Sequence, residues 1–474
     1  MNKKLQIRKN IIFSSLLIFI LICIIAMSNL SSLKKILMND IYVNNFDPIS
    51  SDDKILILAP HPDDEAISSA GIIQKALSAG AKIRIVYLTN GEYNQGSYLI
   101  FEKMPLILKG QFVNLGRIRM NEAINAMASL GLKREDLIFL GYPDFGTMDI
   151  LAEFWDKNKP YSNLLEKISR VPYAECKSPE APYTGQSILN DLENILKDFK
   201  PTKIIVSSPV DLNRDHQALY LFLRVAFWDL KNEIETPKFY CFLVHAKNWP
   251  IPKGLHSDYE LYIPSAIKGA EEDWINSYLT KKEIDNKNEA VSQYVSQIKY
   301  NPAFLVSFVR KNELFSVFKD IELDKNSKSD INGSNIINLD KPNGNITGGS
   351  ESKNLRKLSY MIKDDFLIIR LGLKRKMDEA LGISIYLLGY NNLKNFSVMP
   401  KIHIDLNLKG ISIKDKFLIL NNKELIYQYE GNDLILKIPL KLIGNPDYIM
   451  SHIKTHSGDL ILDDTAWKVL KLKP

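Results

Sequence analysis

The sequence predicts an α/β protein in which a doubly wound parallel sheet is followed by an antiparallel β-sandwich. Three observations lead to this prediction. Short apolar runs alternate with helical segments between residues 54 and 244. Residues 323–355 are dense in Asn, Ser, Gly, Asp and Lys, which is a linker composition. Several short strand-like runs follow that linker. The 474 residues allow two or three folded units at about 150 residues each.

The first strand and helix enclose the most unusual stretch of the chain. Lys54–Leu58 is a short apolar run, Ala66–Ala79 is predicted to be helical, and Ala59-Pro60-His61-Pro62-Asp63-Asp64-Glu65 lies between them. Ligands of open parallel sheets bind at the carboxyl ends of strands, and imidazole with carboxylate is a ligand set for catalytic zinc. A plain helix cap is the alternative. We favour a catalytic or metal-binding role, because a helix cap needs neither the two prolines nor the doubled aspartate.

The alternation continues along the chain. Helical periodicity is clear in Arg117–Leu130, where apolar side chains fall on one side. Residues 93–118 and 145–185 have no steady period and are expected to be loops that shape the site. The further predicted strands are Lys82–Thr89, Leu137–Leu140, Lys203–Ser207 and Phe239–Val244, and the further helices are Ser187–Phe199 and Gln217–Leu230.

A second polar turn, Pro209–His216, follows the strand Lys203–Ser207. His216 is the best candidate for a third metal ligand, because the fold would bring both turns to one rim of the sheet. Its alternative role is that of a first-turn helix residue behind a capping Asp215. His245 closes the strand Phe239–Val244, and it either approaches the site or packs.

The motif at residues 59–65 resembles the signature of the PIG-L / LmbE-like family of zinc-dependent N-acetylglucosaminyl deacetylases. Later positions resemble further blocks of the family in the same order. These positions are Arg119, Glu122, Ala126, Leu130-Gly131, Leu140, Pro143-Asp144, Asp211–His216, Lys287, Ala290, Tyr294, Ser296-Gln297, Glu313 and Phe315. The resemblance implies a Rossmann-like (LmbE-like) deacetylase domain over residues 51–322.

The resemblance also implies the roles of the central residues. His61, Asp64 and His216 would hold Zn²⁺, or another divalent transition metal, and Asp63 would be the general base. Zinc lowers the pKa of bound water to about 7, so a carboxylate can complete its deprotonation. Asp63 would then return the proton to the departing amine.

Other residues receive supporting roles from the resemblance. Arg119 and Asp144 match positions that contact substrate hydroxyls, and the alternative is an ion pair within the sheet rim. Asn213 stands where many relatives carry a histidine, and an amide can donate a hydrogen bond to an oxyanion but cannot deliver a proton. Glu65, like Asp215 and His245, is assigned to the surroundings of the ligands.

The predicted function is removal of acetyl from an N-acetylated sugar or glycoconjugate. Two alternatives stay open: a non-catalytic, membrane-anchored glycan-binding protein of the same fold, and a zinc amidase acting on a non-sugar acyl amide. Residues 356–474, the predicted sandwich, vaguely resemble carbohydrate-binding modules without a diagnostic motif.

The N-terminus predicts the location of the protein. Basic residues within positions 1–10 precede an apolar run, residues 11–30, which reaches the ~20 residues that a membrane span needs. The charge bias predicts a single-pass signal anchor, a tether at 31–50 and an extracytoplasmic catalytic domain. A cleaved signal peptide is the alternative. The net charge of +6 is scattered, so no nucleic-acid partner is expected.

Overall fold

The computed structural model describes residues 43–94, 110–163, 167–264, 272–325, 336–339, 354–421 and 424–473. Contacts divide the chain into residues 1–43 and 44–474, and the description below concerns the second unit. The predicted n-region and anchor lie outside the described residues, as does most of the tether. Across the described ranges no helix is both long and apolar enough to cross a bilayer. The prediction of a membrane-anchored protein with an extracytoplasmic catalytic domain is corrected on this finding.

The first sheet contains a parallel core extended by an antiparallel edge. Its strands are β1 (Val43–Asn45), β2 (Lys54–Ala59), β3 (Lys82–Thr89), β4 (Leu137–Tyr142), β5 (Lys203–Ser207), β6 (Lys238–Phe242), β7 (Glu272–Tyr278) and β8 (Asn312–Phe318). Their order is β1-β7-β8-β6-β5-β2-β3-β4. Strands β6 to β4 in this order run parallel, whereas β8 is antiparallel to β6 and to β7. The parallel strands were predicted; the antiparallel edge was not.

Helices connect these strands in two groups. The helices are α1 (Asp64–Ala79), α2 (Gln111–Ser129), α3 (Thr147–Ala152), α4 (Gly185–Phe199), α5 (Arg214–Asp229), α6 (Lys281–Ser292) and α7 (Val295–Tyr300). Helix α6 packs on α1 and α2, and α5 packs on α3 and α4. The helices after β2 and β5 begin two or three residues earlier than periodicity predicted, because their first turns are polar and carry no apolar repeat.

The strand order places two polar turns side by side. The chain runs from β2 outwards to β3 and β4, and then returns to β5 on the other side of β2. Ligands of open α/β sheets bind at such a reversal, outside the carboxyl ends of the strands. Residues 60–63 follow β2 and residues 208–213 follow β5, so His61 and His216 are brought to the same point of the sheet edge.

The remainder of the chain forms two antiparallel sheets, as the sequence predicted. Their strands are β9 (Ile321–Asp324), β10 (Ile336–Asn338), β11 (Leu355–Lys363), β12 (Phe366–Leu373), β13 (Gly382–Tyr390), β14 (Lys401–Asn407), β15 (Gly410–Asp415), β16 (Leu418–Leu420), β17 (Ile426–Glu430), β18 (Asp433–Pro439), β19 (Tyr448–Ser457), β20 (Leu460–Asp464) and β21 (Lys468–Lys473). One sheet has the order β10-β11-β12-β18-β17, and the other has the order β16-β15-β14-β13-β19-β21-β9, with β20 paired to β19. Strand β9 is parallel to β21. Strand β10 and the last two residues of β9 lie within residues 323–355, the predicted linker.

A buried ion pair fastens the helices after β7 to the sheet. Lys287 Nζ, on α6, lies 2.8 Å from Glu313 Oε1, on β8, and both side chains are fully buried. Glu313 also accepts hydrogen bonds from the backbone N–H groups of Gly71 and Ile72, on α1. One carboxylate therefore joins α1, α6 and β8.

Replacing Lys287 by methionine should lower the free energy of unfolding by about 3–5 kcal/mol, because the Glu313 charge stays buried without its partner. The measurement is urea unfolding followed by circular dichroism. The matched control is Lys281→Met, which removes an exposed pair with Asp285 on the same helix and should change little. Equal changes in the free energy of unfolding would show that the buried pair contributes no more to stability than the exposed pair.

Candidate metal centre and active site

A cleft of about 550 Å³ opens where the turns after β2 and β5 meet. Its wall combines polar and charged side chains with apolar and aromatic ones. The lining residues are His61, Asp63, Asp64, Ile67, Tyr93, Asn94, Arg119, Asp144, Phe145, Asn213, Val244, His245, Gln297, Tyr300, Asn301, Phe304 and Leu305.

The Asp64 carboxylate lies between two imidazoles at the base of this cleft. Its Oδ2 atom is 3.4 Å from Nδ1 of His61 and 3.3 Å from Nε2 of His216. The ring centroids of the two histidines are 5.2 Å apart, and all three side chains are buried. One ligand atom from each residue lies within 4.8 Å of the others, a grouping that can hold a metal ion. The structure thus brings together the three residues predicted as ligands.

The second nitrogen of each histidine faces a different carboxylate. Nε2 of His61 lies 3.1 Å from Asp144 Oδ1 and 3.5 Å from Asp215 Oδ2. Nδ1 of His216 lies 3.2 Å from Asp211 Oδ2. Metal-binding histidines commonly present one nitrogen to the metal and the other to a carboxylate or carbonyl. A cation shared with Asp64 would therefore be held by Nδ1 of His61 and Nε2 of His216.

The hydrogen bonding of these rings is incomplete. Within the described residues, Nε2 of His61 and both ring nitrogens of His216 are buried without a partner in hydrogen-bond geometry. Buried polar atoms are normally satisfied, so each such atom calls for an explanation. Two imidazoles and a carboxylate are a donor set that Zn²⁺ takes in catalytic sites. The residues present therefore fit a divalent transition metal.

The surrounding charges favour a cation at this point. Burial lowers the pKa of His216, but the carboxylates of Asp211 and Asp64 outweigh it and raise that pKa to about 9. Burial also opposes the charge of His61, whose pKa Asp144, Asp215 and Asp64 nevertheless raise well above its ordinary value. Both rings are held in an environment that stabilises positive charge, which a bound metal would supply in place of the protons.

Asp63 occupies a strained position directly before α1. Its φ angle is 130°, in the region that side-chain-bearing residues rarely adopt. Arg119 Nη2 donates to Asp63 Oδ2 at 2.9 Å. Burial and the neighbouring Asp64 charge raise the pKa of Asp63 to about 7, although Arg119 opposes the shift. The backbone N–H of Asp63 donates to Glu65 Oε2 at 3.2 Å, and Tyr294 donates its hydroxyl to Glu65 Oε1.

Both terminal nitrogens of Arg119 are hydrogen-bonded to the walls of the site. Besides Asp63, its guanidinium donates to the carbonyls of Gly91 and Pro62, each at 2.7 Å. Arg119 thus forms an internal ion pair, as the alternative interpretation held, and its partner is Asp63. A Cβ atom on Gly91 would lie 2.0 Å from Arg119 Nη1, so only glycine permits this approach.

Asp144 and Asp215 fasten the loop between β4 and α3. Asp144 Oδ2 accepts from the backbone N–H of Tyr93 at 3.0 Å. Asp215 accepts from the N–H of Phe145 at 2.6 Å, from the N–H of Thr147 at 3.1 Å and from the Thr147 hydroxyl. Phe145, which is 60% exposed, is thereby held at the mouth of the cleft.

Asn213 and His245 both line the cleft. Asn213 caps α5, its Oδ1 accepting from the N–H of Asp215 at 2.8 Å. The His245 ring centroid is 4.7 Å from that of His216, and its Nδ1 lies 3.0 Å from Asp211 Oδ1. His245 therefore approaches the site, as one of the two sequence interpretations held.

Two important residues were given no role by sequence reasoning. Asp211 accepts hydrogen bonds from the backbone N–H groups of Val244, His245 and Asn213 at 2.9 to 3.0 Å. Its carboxylate also faces the rings of His216 and His245. Its position after a buried strand was a signal for it. Tyr294 was noted only as part of a segment that resembles the family, and its contact with Glu65 is made by the fold.

Comparison with known proteins agrees with the motif. Residues 56–227 match the PIG-L family, described as GlcNAc-PI de-N-acetylase. Two relatives are 1D-myo-inositol 2-acetamido-2-deoxy-alpha-D-glucopyranoside deacetylases. The Mycobacterium sp. (strain KMS) enzyme is 25% identical over 193 residues, which is 40% of this chain and 53% of the relative. The Rhodococcus opacus (strain B4) enzyme is 30% identical over 84 residues, 18% of this chain and 28% of the relative.

The chain thus spans between about a quarter and a half of the length of these relatives. One similar solved structure is the N,N'-diacetylchitobiose deacetylase from Pyrococcus horikoshii. It is 18% identical, with a TM-score of 0.37, over 60% of this chain and 92% of that one. Residues 56–227 contain a PIG-L (LmbE-like) domain, and this is the part of the chain that the family model matches.

Proposed function

We propose that this chain is a metal-dependent hydrolase that removes the acetyl group from an N-acetylated sugar or glycoconjugate. The observation that carries the proposal is the Asp64 carboxylate between His61 and His216, with Asp63 beside it in the same cleft. The relatives named above, which act on an acetamido sugar joined to inositol, support the substrate class.

The proposed ligands are His61, Asp64 and His216, and the proposed metal is Zn²⁺. A bound zinc ion would polarise the acetyl carbonyl and lower the pKa of water in the site. Asp215 faces the imidazole of His61, and Asp211 faces that of His216. These carboxylates would orient the rings so that Nδ1 of His61 and Nε2 of His216 point towards Asp64.

Asp63 is proposed as the residue that moves the proton. Its carboxylate would accept a proton from the attacking water and return it to the departing amine. Arg119 fixes one carboxylate oxygen by hydrogen bonding, and Glu65 fixes the backbone of Asp63 from the other side. A base held this tightly loses little freedom on the way to the transition state.

Asn213 and His245 are proposed to stabilise the developing oxyanion. The Asn213 Oδ1 atom is used in capping α5, which leaves the amide N–H₂ as the donor from this residue. His245 is partly exposed in the cleft wall and is anchored through Nδ1 to Asp211. Two such neighbouring donors would supply the hydrogen bonding that a tetrahedral intermediate needs.

Substrate hydroxyls are proposed to contact Arg119 and Asp144. Both residues line the cleft, which supports the assignment. Phe145 and Tyr300, both exposed and both in the cleft wall, offer aromatic faces to the rest of the ligand.

We also propose a domain division in which residues 51–322 are the deacetylase domain and residues 356–474 are a β-sandwich joined by a linker. A single cluster of buried apolar side chains supports the sandwich, because it draws on both antiparallel sheets. Leu358 and Leu436 enter it from one sheet, and Ile385 and Ile404 from the other.

Replacing Asp63 by asparagine should lower turnover by about 10²-fold or more, because the amide cannot accept a proton. The assay is acetate release from N-acetylglucosamine and its glycosides by the zinc-loaded protein. Bound zinc should be retained. The control is Asp149→Asn, which breaks an exposed pair with Arg214 outside the cleft lining. Normal turnover in Asp63→Asn would refute the assigned base.

Replacing His216 by alanine should remove most of the bound zinc, because one of three protein ligands is lost. The measurement is metal content after dialysis, by mass spectrometry. The matched variant is His245→Ala in the same cleft, which should keep its zinc. Equal zinc loss in both variants would favour a centre built from Asp211, His216 and His245 instead.

The two alternative functions are separated by the same assay. A zinc-containing protein that binds glycans and releases no acetate would be a non-catalytic binder. This alternative is retained because Asn213 stands where many relatives carry a histidine. Release of acetate from simple N-acetyl amines, but not from N-acetylated sugars, would identify an amidase of different substrate class.

A further inference from the structure

The second antiparallel sheet reaches the turn that precedes His216, one of the proposed metal ligands. Trp467 lies in the connection between β20 and β21 and is 6% exposed. Its indole Nε1–H donates to Gln217 Oε1 at 3.2 Å, and its backbone N–H donates to the carbonyl of Pro209 at 3.4 Å. Pro209 belongs to the turn after β5, and Gln217 directly follows His216. A residue 250 positions from Gln217 therefore bounds this turn.

The contact continues inward to the site. Gln217 Nε2 donates to the backbone carbonyl of Asp211 at 2.7 Å. The Asp211 side chain faces His216 at 3.2 Å and His245 at 3.0 Å. Two hydrogen bonds thus lead from Trp467 to the residue that orients both histidines. All of these side chains except that of His245 are buried, so water does not compete for these bonds.

Trp467 is itself held in place by its own sheet. Its ring stacks on His452, with centroids 4.8 Å apart and an interplanar angle of 22°. Nε2 of His452 lies 2.8 Å from Asp464 Oδ1. The indole N–H is therefore presented to Gln217 from a fixed ring.

The rest of the turn is supported by β6. Ser208 N–H donates to the carbonyl of Phe242 at 2.7 Å, and Leu212 N–H donates to the carbonyl of His245 at 3.0 Å. Between these two points the Pro209 carbonyl is bound by Trp467. The turn is consequently fixed from the parallel sheet on one side and from the C-terminal sheets on the other.

The C-terminal sheets also contact the far end of α5. Trp228 stacks on Tyr448 with centroids 4.5 Å apart, and Tyr390 donates its hydroxyl to Asp229 at 2.8 Å. Asp229 is the last residue of the helix whose third residue is His216. This remote contact provides an internal comparison for the contact beside the metal ligands.

We infer that Trp467 is a positioning residue, which through Gln217 and Pro209 holds the turn of residues 208–213 so that His216 faces Asp64. The C-terminal sheets are accordingly part of the catalytic unit. The inference rests on the proposed function only in treating His216 as a metal ligand.

The test is the zinc affinity of the full chain, measured by competition with a chromophoric chelator. Trp467→Phe keeps the aromatic ring and removes the indole donor. Loss of a residue that orients metal ligands typically costs about 10–100-fold in metal affinity, and we expect the Kd for zinc to rise about 10-fold. The matched control, Tyr390→Phe, removes one hydrogen bond at the remote end of α5 and should leave the Kd unchanged.

A double-mutant cycle with Gln217→Met decides whether the effect passes through this side chain. Gln217→Met alone should weaken zinc binding, and adding Trp467→Phe should then weaken it no further. Full additivity of the two effects would overturn the inference, as would an unchanged Kd in both single variants. If Trp467→Phe does not fold, the comparison of Gln217→Met with Tyr390→Phe is sufficient: equal Kd values in these two variants would overturn the inference. A wild-type chain that binds no zinc would instead refute the proposed function.

Discussion

One carboxylate oxygen, Oδ2 of Asp64, lies within 3.4 Å of two imidazoles that come from distant parts of the chain. Everything else in the site can be understood as the means of keeping this arrangement buried. Several carboxylates converge on the same point, and burying so much negative charge is unfavourable unless positive charge accompanies it. The histidines and Arg119 supply part of that charge. Burial opposes the charged form of His61 and His216, but the neighbouring carboxylates raise the pKa of both rings because they stabilise positive charge. A divalent cation would supply such charge.

The arrangement is kept in place by carboxylates that bind backbone N–H groups. Asp211 ties the turn after β5 to the end of β6, and Asp215 ties the start of α5 to the loop after β4. Glu65 and Glu313 do the same for the segments around α1. Satisfied networks of this kind rigidify a buried polar region, whereas partly satisfied ones destabilise it. The C-terminal sheets add a further support through Trp467, and they do so on the turn that precedes a candidate ligand.

Much of this could be predicted from the sequence. Strands buried on both faces appear in the sequence as continuous apolar runs, and the turns after β2 and β5 are polar. In a parallel sheet both turns lie at the same edge, and the pairing of β2 with β5 brings their histidines together. The starts of the helices were placed late, because capping residues carry no periodic signal. The pairing of Arg119 with Asp63 was not predictable, because several carboxylates surround the site and only the fold determines which of them lies next to the guanidinium.

The sequence by itself determined the alternation of strands and helices, the motif at residues 59–65 and the identity of the residues able to bind a metal. These are local properties, because each depends on residue type and near spacing. Only the tertiary structure decided which carboxylate each imidazole faces, that Tyr294 reaches Glu65, and that Trp467 bounds the turn after β5. The contacts of Tyr294 and Trp467 join residues 229 and 250 positions apart. They are fixed by the packing of whole sheets and helices, to which no short stretch of sequence corresponds.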